Sequence, residues 1–354
     1  MQNGHRCPRR CVVTRGFADL LRMRVPNSWA SGGLQCETRL VLSFRYVVID
    51  VFTDTALQGN GLAVFTDARQ IPEELLQPIA REMNLSETVF VYPSGWDFSA
   101  TRRASQGETG RADRENLAET VYVYPAEQGG HARIRIFTPM DELPFAGHPV
   151  LGTAFVLAAP LQLPEIVLET GKGPIPIRLQ REEGRISFGW MTQPVPTVEP
   201  FAAEAELLAA VGVQGSELPV ELYDNGVEHV YIALPTVKDV EALEPDLQAL
   251  KRLQGIVGTN CFAGEGDRWK TRMFAPADGV PEDPATGSAA GPLACHLARH
   301  GRIEWGREIV ISQGAEIRRP STLHARANGS GDVIESVEVG GSAVVVARGE
   351  FKLG

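Results

Sequence analysis

No run of about 18 apolar residues occurs anywhere in the 354-residue chain, so no segment reads as a membrane-spanning helix. Cysteine is scarce, with five in all and three of them (Cys7, Cys11, Cys36) inside the first 43 residues. The other two, Cys261 and Cys295, are too few for a disulfide framework, which points to a reducing, cytoplasmic setting. Positive charge is also short: the formal net charge of −10 argues against a nucleic-acid surface. A secretory signal is not expected, because no apolar stretch of roughly 7–15 residues follows the first arginines. Cys7 and Cys11 find no partner pair with histidine at metal-ligand spacing, so no metal site is expected.

What is present divides into two kinds of material. Residues 1–43 hold seven Arg, no Lys and two acids, whereas the remaining 311 hold 27 basic and 42 acidic side chains. The head has no period of 2 or 3.6 and is expected to be a disordered or non-native extension. Its Arg-rich, acid-poor composition also fits an organellar transit peptide. From Phe44 the pattern changes. Phe44 to Phe52 is a β-branched and aromatic run that predicts a strand, Gly59-Asn60-Gly61 predicts a turn, and Leu62–Phe65 predicts a second strand. Residues 72–83 predict a helix, with Pro72 in the first turn and Leu75, Leu76, Ile79, Ala80 and Met83 on one face.

An internal repeat organises the rest. Arg135-Ile-Phe-Thr-Pro-Met-Asp-Glu-Leu-Pro144 aligns with Arg272-Met-Phe-Ala-Pro-Ala-Asp-Gly-Val-Pro281. Each stretch is an apolar strand end and a Pro-containing turn that lead into a small-residue helix. The helices begin near Gly147-His148-Pro149 and Thr286-Gly287-Ser288. A repeat of about 140 residues is too long for a solenoid unit and implies a duplicated domain. The expected fold is α+β: two pseudo-symmetric halves (44–165 and 166–354), each a curved, mostly antiparallel sheet or barrel wrapped around a central helix. The two helix N-termini are expected to meet at the cleft between the halves.

Such termini present unpaired N–H groups and a partial positive charge, suited to a carboxylate or an oxyanion. Gly147 and Gly287 allow close backbone approach to a ligand. His148 and Ser288 can also be read as helix caps, and Asp283 as a turn residue before Pro284. Their equivalent places in a duplicated unit favour the functional reading.

The motifs Asn84-Leu-Ser-Glu87-Thr, Phe145-Ala-Gly-His148-Pro and Glu282-Asp283-Pro-Ala-Thr-Gly287-Ser288-Ala resemble those of the phenazine-biosynthesis isomerase (PhzF-like) family, over roughly residues 44–352. The resemblance implies a diaminopimelate-epimerase-type fold, a possible homodimer and a proton transfer between ring carbons without a cofactor. It makes the Glu of the first motif the general acid/base. His148, Asp283, Gly287 and Ser288 would surround a small carboxylated substrate. A carboxyl in a closed cleft has its pKa raised by desolvation, which suits it to exchange a proton near neutrality. The epimerase branch of this fold uses two opposed cysteines. Here the matching helix starts carry His148 and the Asp283–Ser288 loop, which disfavours that chemistry. An epimerase or racemase using carboxylates, and a non-catalytic binding relative, are the alternatives.

The Glu motif occurs twice. Asn84-Leu-Ser-Glu-Thr-Val-Phe-Val-Tyr-Pro93 is echoed by Asn116-Leu-Ala-Glu-Thr-Val-Tyr-Val-Tyr-Pro125, with polar loop sequence between. Ser86 beside Glu87 matches the family motif, where the second copy has Ala118. Glu119, however, would give a shorter hairpin to Arg133-Ile-Arg-Ile136. Both glutamates are candidates.

Overall fold

The structure, a computed structural model, describes residues 42–93, 129–253 and 258–353. The strand expected at Phe44 starts two residues earlier, as β1 (Leu42–Val51), and pairs antiparallel with β2 (Asn60–Phe65). The expected turn at Gly59-Asn60-Gly61 needs correction. Asn60 and Gly61 are ladder residues opposite Val51 and Asp50. Gly59 alone takes the turn conformation, at φ +67, and a Cβ there would lie 2.3 Å from the Val51 carbonyl oxygen.

Helix α1 (Glu73–Met83) buries Leu76, Ile79 and Ala80, as its apolar spacing requires, and ends on left-handed Asn84. The chain then enters β3 (Glu87–Tyr92), parallel to β2, and β3 pairs antiparallel with β4 (Ala132–Phe137). The first copy of the repeated Glu motif thus supplies the strand beside β4. The second copy, with Glu119, lies outside the described residues. The first half continues through β5 (Glu142–Leu143), helix α2 (Gly147–Leu161) and, past the boundary expected at residue 165, β6 (Glu165–Thr170), β7 (Gly173–Glu182) and β8 (Arg185–Gln193), since β6 pairs with β4.

The remaining elements repeat this plan. After β9 (Thr197–Pro200) and α3 (Glu204–Val211) come β10 (Glu221–Asp224), β11 (Glu228–Ala233), α4 (Val237–Glu241) and α5 (Leu247–Arg252). Then follow β12 (Gly258–Glu265), β13 (Arg268–Ala275), β14 (Val280–Asp283) and helix α6 (Gly287–Arg299). The last strands are β15 (Ile309–Gln313), β16 (Ser321–Ser330), β17 (Val333–Gly341) and β18 (Ala343–Leu353). As β2, β3, β4 and β6 pair in the first half, so β11, β12, β13 and β15 pair in the second, with the same parallel and antiparallel senses. Strands β8 and β17 join the halves, Gln193 opposite Val337, while β1 takes β18 as its outer neighbour.

Residues Gly147–Ala158 of α2 and Gly287–Ala298 of α6 are buried without exception, so each helix is enclosed by strands. Contact is close enough to demand glycine: a Cβ on Gly152 would lie 2.7 Å from Val51, and one on Gly291 2.4 Å from both Gln193 and Val337. Both helices share one hydrophobic core. A satellite cluster lies under α1 and another under α3 to α5. This is the α+β, helix-in-barrel architecture that the repeat implies.

Candidate active site

The N-termini of α2 and α6 abut. A Cβ on Gly147 would stand 2.4 Å from the Gly287 carbonyl carbon and 2.5 Å from the Ser288 nitrogen. Neither helix has a side-chain cap on its first turn, where Ala146 and Thr286 are the capping residues. Among the described residues no side chain accepts from their first N–H groups. Beside them opens a cleft of about 450 Å³, its mouth included, lined by Glu87, His148, Asp278, Asp283, Gly287 and Ser288 among others. The structure brings together Glu87, His148, Asp283, Gly287 and Ser288.

Glu87 is the first residue of β3, where the chain leaves α1 through the Asn84–Ser86 connection. Burial pushes its carboxyl well above the usual carboxylate range, and the neighbouring Asp283 and Asp278 charges push the same way. Its Oε2 stands 3.1 Å from His148 Nε2. The two atoms are off the line of a hydrogen bond, and neither has another partner among the described residues. They are close and uncommitted.

Asn60 sets the state of His148. Its amide nitrogen donates to Asp283 Oδ1 at 2.8 Å and to the Ala285 carbonyl at 3.0 Å, two groups that can only accept. That fixes the amide orientation. The same nitrogen lies 3.2 Å from His148 Nδ1, which must therefore be unprotonated, leaving the ring proton on Nε2 facing Glu87. Burial holds His148 down to about 3, so the imidazole is neutral. Asp283 is buried, which raises its pKa, while hydrogen bonds from Thr286, Asn60 and Ser86 pull the other way. Thr286 Oγ1 donates to Asp283 Oδ2 at 2.6 Å, and Gln313 ties the loop by donating to Thr286 Oγ1 and the Asp283 carbonyl.

The second half has its own version. Ser288 occupies the place in α6 that His148 occupies in α2, and its hydroxyl lies 2.9 Å from His229 Nε2. Burial holds His229 down to about 3 as well. The strand registers locate the mate of Glu87. Phe90 faces Arg135 and Cys261 faces Arg272; since Arg135 and Arg272 are repeat equivalents, Glu87 corresponds to Gly258. At this strand position only the first half carries a carboxyl.

Asn60, His229, Asp278 and Gln313 escaped the sequence reading. Asn60 sat in a Gly-Asn-Gly triplet that reads as a turn, and His229 and Gln313 sit in strands with nothing local to mark them. Asp278 was visible only as part of the repeat, opposite Asp141. The two remaining cysteines are buried, each thiol is pushed up to about 12 by burial, and neither lines the cleft. Among the described residues, Glu221, His296 and His300 form a cluster that resembles a metal site. Glu221 Oε2 already accepts from Arg299 at 2.8 Å and from Tyr223 at 3.0 Å. A guanidinium on that oxygen makes the cluster a balanced structural network rather than a cation site.

Comparison with known proteins follows the same lines. A profile of the phenazine biosynthesis-like protein family (PhzC-PhzF) matches residues 49–104 and 111–349. The trans-2,3-dihydro-3-hydroxyanthranilate isomerase of Pseudomonas aeruginosa is 47% identical over 309 residues, covering 87% of this chain and 99% of its own. Among solved structures, a PhzF-family phenazine biosynthesis protein from Bacillus anthracis superposes with a TM-score of 0.67 at 22% identity, covering 88% of this chain and 99% of its own. A predicted epimerase from Pseudomonas aeruginosa gives the same TM-score at 27% identity, covering 87% and 99%.

Proposed function

Since the chain belongs to the phenazine biosynthesis-like (PhzC-PhzF) family and is an isomerase, we propose that it moves a proton between two carbons of a small carboxylated ring, with Glu87 as the single acid/base. The observation that carries this reading is Glu87 itself, a carboxyl with a raised pKa facing the Nε2 proton of a neutral His148 beside two uncapped helix N-termini. The substrate class is that of the relative, a dihydro-hydroxyanthranilate.

The chemistry balances on one group. A substrate C–H bond breaks to a Glu87 oxygen, and the electron pair moves into the ring and its carboxylate. The same carboxyl exchanges its proton with solvent and delivers a proton to another carbon as the double bonds shift. A raised pKa brings both steps near neutral pH. The helix N–H groups of α2 and α6 hold the substrate carboxylate and the negative charge that develops on it. His148 donates through Nε2 and stays neutral, while Asn60 and Asp283 fix its ring.

Two-base inversion of an amino acid is the weaker reading. It needs a second acid/base from the opposite half, where Gly258 stands in the place of Glu87 and the Asp283 carboxyl is held by Asn60 and Thr286. The test is conversion of trans-2,3-dihydro-3-hydroxyanthranilate in heavy water, followed by NMR. The wild-type enzyme is expected to introduce deuterium at a ring carbon, and Glu87→Gln to lower that rate about 100- to 10,000-fold. Wild-type exchange in Glu87→Gln would sink the proposal.

A further inference from the structure

We infer that Asp278 selects the substrate by receiving its ammonium group, so that the isomerase prefers a zwitterionic amino carboxylate to the same ring with a hydroxyl in place of the amine. This rests on the function proposed above and names the determinant of its substrate class.

The lining of the cleft leaves few alternatives. Among the described residues it contains three carboxyls, Glu87, Asp278 and Asp283, and no Lys or Arg. Its two histidines, His148 and His229, are neutral. Asp283 is spent: Oδ1 accepts from Asn60 and Oδ2 from Thr286. Glu87 is reserved for the proton. Asp278 remains, and among the described residues no side chain donates to it.

Asp278 ends the 3-10 turn Pro276–Asp278 that follows β13, and Gly279 after it has φ +82. Its repeat equivalent, Asp141, lies on the matching turn of the first half but does not line the cleft. The carboxyl is half-buried and pushed up to about 6 by burial and then by Asp141, so it is charged at neutral pH. A second observation points to a ligand in this space: His148 is 3% exposed, and its unpartnered Nε2 belongs to the same lining.

The substrate of the 47%-identical relative has the matching chemistry. A 2,3-dihydro ring places the amine on a saturated carbon, where it is a basic alkylamine and carries a positive charge at neutral pH. The amine and the carboxylate sit on adjacent ring carbons, so helix N–H groups and Asp278 of the same cleft would bind neighbouring corners of one zwitterion. A charge-assisted hydrogen bond of this kind discriminates by about tenfold or more.

The experiment compares kcat/KM for trans-2,3-dihydro-3-hydroxyanthranilate and for its analogue with hydroxyl replacing the amine, in the wild-type enzyme, Asp278→Asn and Asp278→Ala. The expected result is a fall of at least tenfold in the amino-to-hydroxyl ratio in both variants, carried by KM. A ratio within threefold of wild type overturns the inference. So does an equal loss on both substrates, which would make Asp278 a structural residue or a modifier of Glu87. Glu87→Gln, run alongside for deuterium exchange, separates the two claims. Exchange surviving there defeats the acid/base reading, whereas a silent Glu87→Gln with an unchanged ratio defeats only the role of Asp278.

Discussion

The two halves of the site are built on one plan and differ in what they hold. In the first, Asn60 fixes His148, and His148 faces Glu87. In the second, His229 holds Ser288, and the place of Glu87 is taken by Gly258. A Cβ at Gly258 would stand 2.6 Å from His229 Nδ1, so the second half has filled that space with an imidazole. Duplication supplied two uncapped helix ends. Divergence left a buried carboxyl beside the histidine in one half and a serine–histidine contact in the other.

Closing the gap between the helix ends should have the largest effect. Gly147→Ala puts a methyl against backbone on the opposite half, where nothing flexible can yield. We expect about 1–3 kcal/mol of destabilisation, read by denaturant unfolding, and loss of turnover as the helix ends are forced apart. Gly287→Ala meets the His148 nitrogen and the Phe52 ring at 2.9 Å, a looser fit with a smaller cost.

Next come the two holding residues. Asn60→Ala leaves Asp283 Oδ1 and the Ala285 carbonyl without a buried donor and frees the tautomer of His148. It should cost about 1–3 kcal/mol and lower kcat more than it raises KM. His229→Ala loosens only Ser288, and should raise KM more than it lowers kcat. Steady-state kinetics separates them, and equal patterns would erase the distinction between the halves.

The smallest effects are in the pH dependence of stability, and they have opposite signs. Glu87 has a raised pKa in the folded state, so its contribution is fully present below about pH 4.5 and is lost as pH rises toward the folded value. His229 is held down to about 3 from 6.5, so its contribution is present above pH 6.5 and is lost as pH falls through that window. Glu87→Gln should therefore raise Tm at pH 8 relative to pH 4, and His229→Gln at pH 4.5 relative to pH 8. Thermal melting at the two pH values reads each differential.

Much of this was legible in sequence because duplication writes itself twice. The Arg135 and Arg272 repeats located β4, β13 and the two enclosed helices. They also predicted that Gly147, His148, Gly287 and Ser288 would meet. Asp283 came with the loop ahead of α6. Asn60 was out of reach, since its partners His148 and Asp283 lie 88 and 223 residues away and only the β1–β2 register turns it inward. The choice between Glu87 and Glu119 was equally hidden. Both motifs read as strands, and pairing with β4 is a tertiary fact that neither states.

The most direct measurement is deuterium exchange into trans-2,3-dihydro-3-hydroxyanthranilate by Glu87→Gln and Glu119→Gln side by side. A single acid/base carboxyl on β3 predicts a loss of about 100-fold or more in the first and a rate near wild type in the second. Exchange that survives in Glu87→Gln, or that disappears in Glu119→Gln, would contradict it.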